Sequence, residues 1–119
     1  MYYVSKRIEI AMAHKLKLSY ESKCTNIHGH NAVVVVYCKA EELNAEGMVV
    51  DFTQIKETVY RLLDHKYLND IVNFNPTAEN LARWICEQIA TCYKVSFQES
   101  EGNIAVYCAE ENLSSQNAL

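Results

Sequence analysis

The sequence predicts an α+β fold in which two helices cover one face of an antiparallel sheet. Two strand-like segments open the chain, two segments with helical spacing of apolar residues follow, and two strand-like segments come last, so the element order is ββααββ. The second strand contains an unbroken apolar run, Val33-Val34-Val35-Val36-Tyr37-Cys38. A strand that is apolar on both sides has to be covered on both sides. Because the two helices can cover only one face, we predict a homo-oligomer in which other copies cover the second face.

The four strands are predicted from β-branched and aromatic residues and from the turns between them. Residues 2–13 form the first strand, with partial alternation of apolar and polar side chains, and residues 28–40 form the second. Residues 94–99 and 103–108 are predicted to pair as a hairpin, since Gly102 lies in the short polar turn between them.

The two helices are predicted from their caps and their periodicity. Asp51 followed by Gln54 resembles a capping box, and apolar residues recur at helical spacing from there to about residue 63. Thr77, directly after the break at Asn75-Pro76, is the expected N-cap of the second helix. The apolar stripe of this second helix consists of Leu81, Ile85, Ile89 and Cys92.

Length, charge and composition exclude several classes of protein. With 119 residues the chain is expected to form one domain over residues 1–109, followed by a mobile tail over residues 110–119 that has little to pack. It shows neither the apolar core of a signal peptide nor the run of ~20 apolar residues that spans a membrane, so we expect a cytoplasmic protein without a membrane partner. A net charge of −4 argues against a nucleic-acid partner.

The five cysteines are predicted to be free thiols in a reducing compartment, because their number is odd and no two form a Cys-x-x-Cys pair. Four of them lie in apolar segments, where they are interpreted as small hydrophobic side chains: Cys38, Cys86, Cys92 and Cys108. Cys24 differs, since it lies in a polar segment next to Lys23.

Three of the four histidines lie within seventeen positions of one another. If the chain is extended around Gly29, then His28 and His30 point to the same face of the strand. With His14 at the end of the preceding strand they form a set of three imidazoles, which suits zinc and leaves one coordination position open for water or substrate. The alternative interpretation is that these histidines are ordinary core or hydrogen-bonding residues.

The residues near this set leave several roles open. Cys24 could be a fourth metal ligand, a general base or nucleophile, or an ordinary loop thiol. His65 is the remaining histidine, and Asp64 could orient it, although adjacent residues in a loop rarely face each other. Glu99 alone is an unremarkable carboxylate at a strand end. Three lysines near Cys24 would suit an anionic small molecule, or could simply be solvated: Lys15, Lys17 and Lys23.

The order of the motifs resembles the 6-pyruvoyl-tetrahydropterin synthase / 6-carboxytetrahydropterin synthase family. The matching segments are His14, Cys24-x-x-x-His28-Gly29-His30-Asn31, Gly47-Met48-Val49-Val50-Asp51-Phe52, Leu63-Asp64-His65-Lys66-Tyr67-Leu68-Asn69, Asn75-Pro76-Thr77-Ala78-Glu79-Asn80, and Glu99 with Tyr107. Two mild departures leave every chemical residue in place. The residues before the first zinc histidine are Ile10-Ala11-Met12-Ala13, where Phe and Ala are common, and Ser100 follows the pterin carboxylate, where Thr is frequent.

This resemblance implies the tunnelling fold, in which trimers close their sheets into a barrel and two trimers stack into a hexamer. It implies zinc on His14, His28 and His30. Cys24 takes the position of the catalytic thiol. His65 takes that of its relay partner, and Asp64 that of the aspartate assisting the histidine. Glu99 matches the carboxylate that binds the pterin, while Thr77 and Glu79 match positions lining the same pocket.

The resemblance also implies a lyase whose substrate is 7,8-dihydroneopterin triphosphate. Two products are known for the family: 6-pyruvoyl-tetrahydropterin, and 6-carboxytetrahydropterin, which is formed with release of acetaldehyde and serves queuosine (7-deazaguanine) biosynthesis. The short spacing from Cys24 to His28 resembles the bacterial carboxy-forming enzymes, so we prefer that product. A zinc- and pterin-binding module without turnover is the third hypothesis.

Overall fold

Five strands form one sheet, and two helices lie against one of its faces. The computed structural model describes residues 1–109. The strands are β1 (Tyr2–His14), β2 (His28–Ala40), β3 (Lys66–Tyr67), β4 (Cys92–Ser100) and β5 (Asn103–Cys108), and the helices are α1 (Phe52–Leu63) and α2 (Ala78–Glu87). The strand order across the sheet is β3-β1-β2-β4-β5. The predicted α+β class and the predicted ββααββ order of the main elements are confirmed.

The longest pairing in the sheet joins β1 to β2. The two strands are antiparallel along their whole length, from Tyr2 opposite Ala40 to His14 opposite His28. Since side chains alternate between the two faces of a strand, this register places even-numbered residues of both strands on one face. That face is the core: it buries Ile8, Ile10, Met12, Ala32, Val34, Val36 and Cys38. The three clustered histidines lie at the end of the same face.

The helices cover the core face and begin where the sequence predicts. The Asp51 carboxylate accepts a hydrogen bond from the N–H of Thr53 (2.8 Å) and caps α1, and the Thr77 hydroxyl accepts one from the N–H of Asn80 (3.2 Å) and caps α2. Helix α1 packs on β1, while α2 packs on β4 and β5. Within residues 1–109, no helix combines the length and the apolar character needed to cross a membrane.

The structure corrects two boundaries and adds one strand. Helix α2 ends at Glu87, so Ile89 and Cys92 of its predicted stripe lie outside it, and β4 begins at Cys92 rather than at residue 94. Lys66 and Tyr67 form the short strand β3, parallel to Met12 and Ala13, within a segment predicted only as polar. A two-residue strand has no periodicity to reveal it, and its pairing depends on a distant partner. The predicted mobile tail, residues 110–119, lies outside the described residues.

The face of the sheet opposite the helices carries an apolar patch that is uncovered in the single chain, beside the exposed ion pair of Arg7 with Glu9. On β2 this face carries Val33, Val35 and Tyr37, which are only partly buried. On the edge strand β5 it carries Ile104 and Val106, which are 56% and 54% exposed. The same face exposes Cys108, so the interpretation of that thiol as a buried side chain does not hold for one chain. The exposed apolar face agrees with the predicted homo-oligomer, which stays a prediction.

Replacing Ile55 by Ala tests the packing of α1 on the sheet. Ile55 is 1% exposed, so the substitution leaves a cavity and should lower the free energy of unfolding by about 2–5 kcal/mol. Glu57→Ala, on the exposed side of the same helix, is the matched control and should change stability by less than about 0.5 kcal/mol. Urea unfolding followed by circular dichroism measures both; equal losses would contradict the described orientation of α1.

Candidate metal centre and active-site cavity

The three clustered histidines meet at one end of the core face. His14 lies opposite His28 in the ladder, and Met12 lies opposite His30, so the pairing of β1 with β2 brings the rings together. The ring centroids are 4.5 Å apart for His14 and His28, 5.2 Å for His14 and His30, and 4.8 Å for His28 and His30. The predicted convergence of the three imidazoles is therefore present in the structure.

Backbone carbonyls fix the orientation of two of these rings. The Nδ1 of His14 lies 2.8 Å from the carbonyl oxygen of Pro76, and the Nδ1 of His28 lies 2.8 Å from that of Asn26. A carbonyl can only accept, so each Nδ1 carries the proton and donates it, which leaves a lone pair on Nε2. Histidine ligands of metals are commonly oriented in this way. Burial lowers the pKa of His14, more than the Pro76 carbonyl and Glu99 raise it, and favours the neutral ring that binds metal.

The inner nitrogens of the three rings are buried without a hydrogen-bond partner. This holds for Nε2 of His14, of His28 and of His30. Buried polar atoms without partners cost free energy and are rare, so three together need an explanation. A dication bound by the three lone pairs supplies one, and the donor set of neutral imidazoles is the set that zinc prefers.

Glu99 at the end of β4 lies close enough to be a fourth ligand, although three imidazoles alone already make a zinc site with one open position. Its Oε1 lies 2.9 Å from Nε2 of His30 and 3.8 Å from Nε2 of His14, although the first contact lacks the angle of a hydrogen bond. The three nitrogens and a Glu99 oxygen all lie within 4.8 Å of one another. Atoms around one tetrahedral zinc lie about 3.3 Å apart, given bonds of about 2.0–2.1 Å. The residues therefore fit a metal ion after small side-chain movements.

Cys24 lines the same cavity as His28, His30 and Glu99. The cavity has a volume of about 440 Å³ and is lined by Lys23, Cys24, His28, Gly29, His30, Glu99, Ser100 and Asn103. Cys24 is partly buried in a short 3₁₀ turn, Lys23–Thr25, in which the hydroxyl of Ser22 accepts a hydrogen bond from the Cys24 N–H (3.2 Å). The thiol is thus next to the candidate metal centre. Of the three predicted cationic residues, Lys23 lines this cavity, and Lys15 and Lys17 lie exposed on the neighbouring segment.

A second cavity of about 470 Å³ adjoins the first, because Glu99 and Asn103 line both. Glu79 in the first turn of α2 also lines this second cavity, together with the apolar residues of β5. Thr77 lines neither cavity; its hydroxyl caps α2 beside Pro76, whose carbonyl orients His14. The structure therefore brings Glu99 and Glu79 to one cavity and gives Thr77 a supporting position.

Asp64 and His65 form a pair, but on another side of the chain. Nδ1 of His65 lies 2.8 Å from Oδ2 of Asp64, while Oδ1 of Asp64 accepts a hydrogen bond from the Ala11 N–H (2.9 Å). The Ala11 N–H, followed by His65, lowers the pKa of Asp64. The expectation that these neighbours would not face each other is wrong: His65 has a φ of 56°, an uncommon left-handed conformation in which its ring meets the preceding carboxylate.

The Asp64–His65 pair does not reach Cys24 within one chain. The His65 side chain is 81% exposed and lines cavities with residues of β1 and β3, whereas Cys24 lines the cavity between β2, β4 and β5. The candidate metal ligands and the Cys24 thiol are therefore brought together by one chain, and the predicted relay pair is not part of that group.

Sequence reasoning missed the groups that support the site. The carbonyls of Pro76 and Asn26 orient the histidines, and every residue type carries a carbonyl, so no residue pattern marks them. Asn69 and Asn75 bind the segment after His14 through their side chains. Both residues belong to the family motifs, but a hydrogen bond across more than fifty residues has no local signal.

Comparison with known proteins gives one consistent result. The family described as 6-pyruvoyl tetrahydropterin synthase matches residues 3–110. A 6-pyruvoyl tetrahydrobiopterin synthase of Pongo abelii is 33% identical over 135 residues, covering 90% of this chain and 91% of that protein. A 6-carboxy-5,6,7,8-tetrahydropterin synthase of Bacillus subtilis is 27% identical over 121 residues, covering 87% and 83%. The solved structure of Caenorhabditis elegans 6-pyruvoyl tetrahydropterin synthase superposes with a TM-score of 0.73 at 28% identity, covering 92% and 96%.

Removing one imidazole tests the metal centre. His30→Ala deletes one of the three inward nitrogens and should abolish stoichiometric binding of a divalent metal, since two remaining nitrogens cannot hold the ion tightly. His65→Ala is the matched control, because that ring lies outside the cluster, and it should keep the metal content of the wild type. Elemental analysis of the dialysed proteins measures the ratio of metal to chain; equal metal contents in both variants would refute the site.

Proposed function

The chain belongs to the 6-pyruvoyl tetrahydropterin synthase family, and on this premise we propose that it is a zinc-dependent lyase acting on 7,8-dihydroneopterin triphosphate. The observation that carries the proposal is the position of the Cys24 thiol in one cavity with inward-facing, unpartnered nitrogens of His28 and His30. A thiol and an open metal site together suit proton abstraction from a carbon next to a polarised oxygen.

In this proposal His14, His28 and His30 hold the zinc, and Glu99 faces the pterin. The bound zinc supplies Lewis-acid polarisation of the substrate's side-chain oxygens. The Glu99 carboxylate can accept hydrogen bonds from the 2-amino and N3–H groups of the pterin ring, a two-donor edge that a carboxylate matches in geometry. Its place between the two adjoining cavities supports this role, as does the presence of Glu79 in the second cavity.

Cys24 is the proposed base. The Sγ of its thiolate accepts a proton from a carbon of the substrate side chain. The electron pair of that C–H bond forms a double bond, and the triphosphate leaves with the electron pair of its C–O bond. Lys23, with Lys15 and Lys17 nearby, supplies positive charge for the anionic leaving group. The lysines can attract the triphosphate only if it leaves on their side of the cavity.

His65 is the proposed relay partner of Cys24, and Asp64 holds it in the required tautomer. Because Asp64 accepts a hydrogen bond from the Nδ1–H of His65, the lone pair lies on Nε2, which can take a proton and later return it. The pair is remote from the cavity of its own chain, so the relay requires a second copy whose His65 reaches this Cys24. The uncovered apolar patch of the sheet supports such an assembly. We assign the assembly as a hexamer of two stacked trimers, in which each trimer is a barrel.

We assign the product as 6-carboxytetrahydropterin, released with acetaldehyde and triphosphate, for queuosine biosynthesis. Relatives that form either product resemble the chain to a similar degree, so the similarity alone does not choose between them. The short spacing of Cys24-x-x-x-His28-Gly29-His30 supports the carboxy product. The second candidate is the pyruvoyl product. A binding module without turnover is the third, and it is disfavoured because a pure binder has no need of a thiol beside its metal.

Substituting Cys24 by Ala tests the base. The variant should lose turnover by about 10²-fold or more, because no other group takes over the proton transfer, while zinc content and pterin binding stay unchanged. Cys92→Ser, which removes a thiol outside the cavity and keeps the donor to the Lys94 carbonyl, should keep full activity. Steady-state consumption of dihydroneopterin triphosphate measures the effect. A protein with no turnover in wild-type form would instead support the binding module.

Identifying the products tests the assigned branch. The zinc-loaded protein is incubated with 7,8-dihydroneopterin triphosphate and the mixture is separated by mass spectrometry. We expect 6-carboxytetrahydropterin and one acetaldehyde for each triphosphate released. Detection of pyruvoyl-tetrahydropterin without acetaldehyde would overturn the carboxy product and support the second candidate.

A further inference from the structure

Two asparagine side chains bind the backbone of the segment that follows His14. The carboxamide oxygen of Asn69 accepts a hydrogen bond from the Lys15 N–H (2.9 Å), and its amide group donates one to the Lys15 carbonyl (2.9 Å). Asn75 makes the same pair of bonds with Lys17, both at 2.9 Å. We call these two side chains with their four hydrogen bonds the asparagine clamp.

The asparagine clamp replaces a strand where the sheet stops. Lys66 and Tyr67 of β3 pair through their backbones with Met12 and Ala13, and the chain then turns into the 3₁₀ helix Leu68–Asp70. A carboxamide offers the same donor and acceptor as a peptide group. Side chains from this region therefore continue the pairing along Lys15 and Lys17, whose backbone groups would otherwise lose their partners.

The opposite edge of the clamped segment holds the thiol turn. In an extended chain, successive residues direct their backbone N–H and C=O groups to alternate sides. Lys15 and Lys17 face the clamp, so Leu16 faces the other way, and its N–H donates a hydrogen bond to the carbonyl of Cys24 (2.8 Å). The position of Cys24 is thus connected through one short segment to Asn69 and Asn75.

We infer that Asn69 and Asn75 are positioning residues that hold Cys24 at the mouth of the metal cavity. This inference rests on the proposed role of Cys24 as the base. A general base acts only within hydrogen-bond reach of its proton, so a turn that carries the base needs a rigid support. The turn has local hydrogen bonds to Ser22, and at its far end the Asn26 carbonyl is hydrogen-bonded to His28 of β2. At Cys24 itself, the tie to the sheet runs through Leu16.

The two members of the clamp differ in what else they touch. The Asn75 carbonyl accepts hydrogen bonds from the Thr77 N–H (2.8 Å) and the Asn80 amide (2.9 Å), and the next residue, Pro76, orients His14. A backbone shift at Asn75 would therefore reach the candidate metal centre as well. The side-chain bonds of Asn69 go to Lys15, which makes Asn69 the better position for a test.

The test compares Asn69→Ala with Asn73→Ala in the zinc-loaded protein. Asn73 lies in the same connection, is exposed and is not part of the clamp. Asn69→Asp is the second variant should the alanine fail to fold: it is equal in size, keeps an acceptor for the Lys15 N–H and loses the donor. Four quantities are measured: zinc content, hydrogen exchange of the Lys15 amide, the rate at which iodoacetamide alkylates Cys24 (followed by peptide mass spectrometry), and kcat with KM.

In Asn69→Ala we expect faster exchange at Lys15, faster alkylation of Cys24 as its turn loosens, unchanged zinc content and an unchanged KM. We expect kcat to fall about tenfold or more, since misplacing a reacting group by about 1 Å can cost as much as 10²-fold. Asn73→Ala should match the wild type in all four.

A Cys24 alkylation rate that stays at the wild-type value while Lys15 loses protection overturns the inference, whatever happens to kcat. Unchanged Lys15 exchange overturns it too, because the clamp would then not hold the segment. If the wild type shows no turnover at all, the proposed function fails. The alkylation rate of Cys24 and the hydrogen exchange of the Lys15 amide then still decide whether the clamp holds Cys24.

Discussion

The register between β1 and β2 is the constraint on which the rest of the site depends. His14 lies opposite His28, and the next pair on the same face places Met12 opposite His30. A slip of one residue would turn the histidines of one strand to the opposite face of the sheet. The register is held by apolar burial along the core face, where Val34 and Val36 are fully buried. Hydrophobic packing at one end of the strands thus specifies a polar site at the other.

The site combines two requirements that usually conflict. Metal-binding nitrogens must be free of competing hydrogen bonds, yet buried polar atoms without partners are unfavourable. The structure meets this by tying the outer nitrogens of His14 and His28 to backbone carbonyls and aiming the inner ones at a common point. In isolation this arrangement is destabilising, and a bound dication turns it into a stabilising one. Folding and metal binding are therefore expected to support each other.

One chain brings together some of the residues in the proposed mechanism, and the others would meet only between two copies of the chain. One chain builds the metal centre, the Cys24 cavity and the clamp behind it. The Asp64–His65 pair is formed just as firmly, with a lowered pKa of Asp64 that keeps the carboxylate charged, but it faces away from that cavity. In the proposed mechanism a second copy brings the Asp64–His65 pair to the Cys24 cavity. The exposed apolar face of the sheet is consistent with a chain that works only when its copies associate.

The sequence by itself determined the elements, the helix caps at Asp51 and Thr77, and the convergence of the three histidines, because these follow from local periodicity and spacing. The short spacing from Cys24 to His28 also predicted this thiol beside them. Only the tertiary structure decided the short strand β3, the pairing of Asp64 with His65 and the clamp at Asn69. Strand β3 and the clamp depend on hydrogen bonds between residues far apart in the chain. The Asp64–His65 pair depends on the left-handed backbone at His65 and on the hydrogen bond from the distant Ala11 N–H to Asp64. Such features leave no period or composition for a sequence to display.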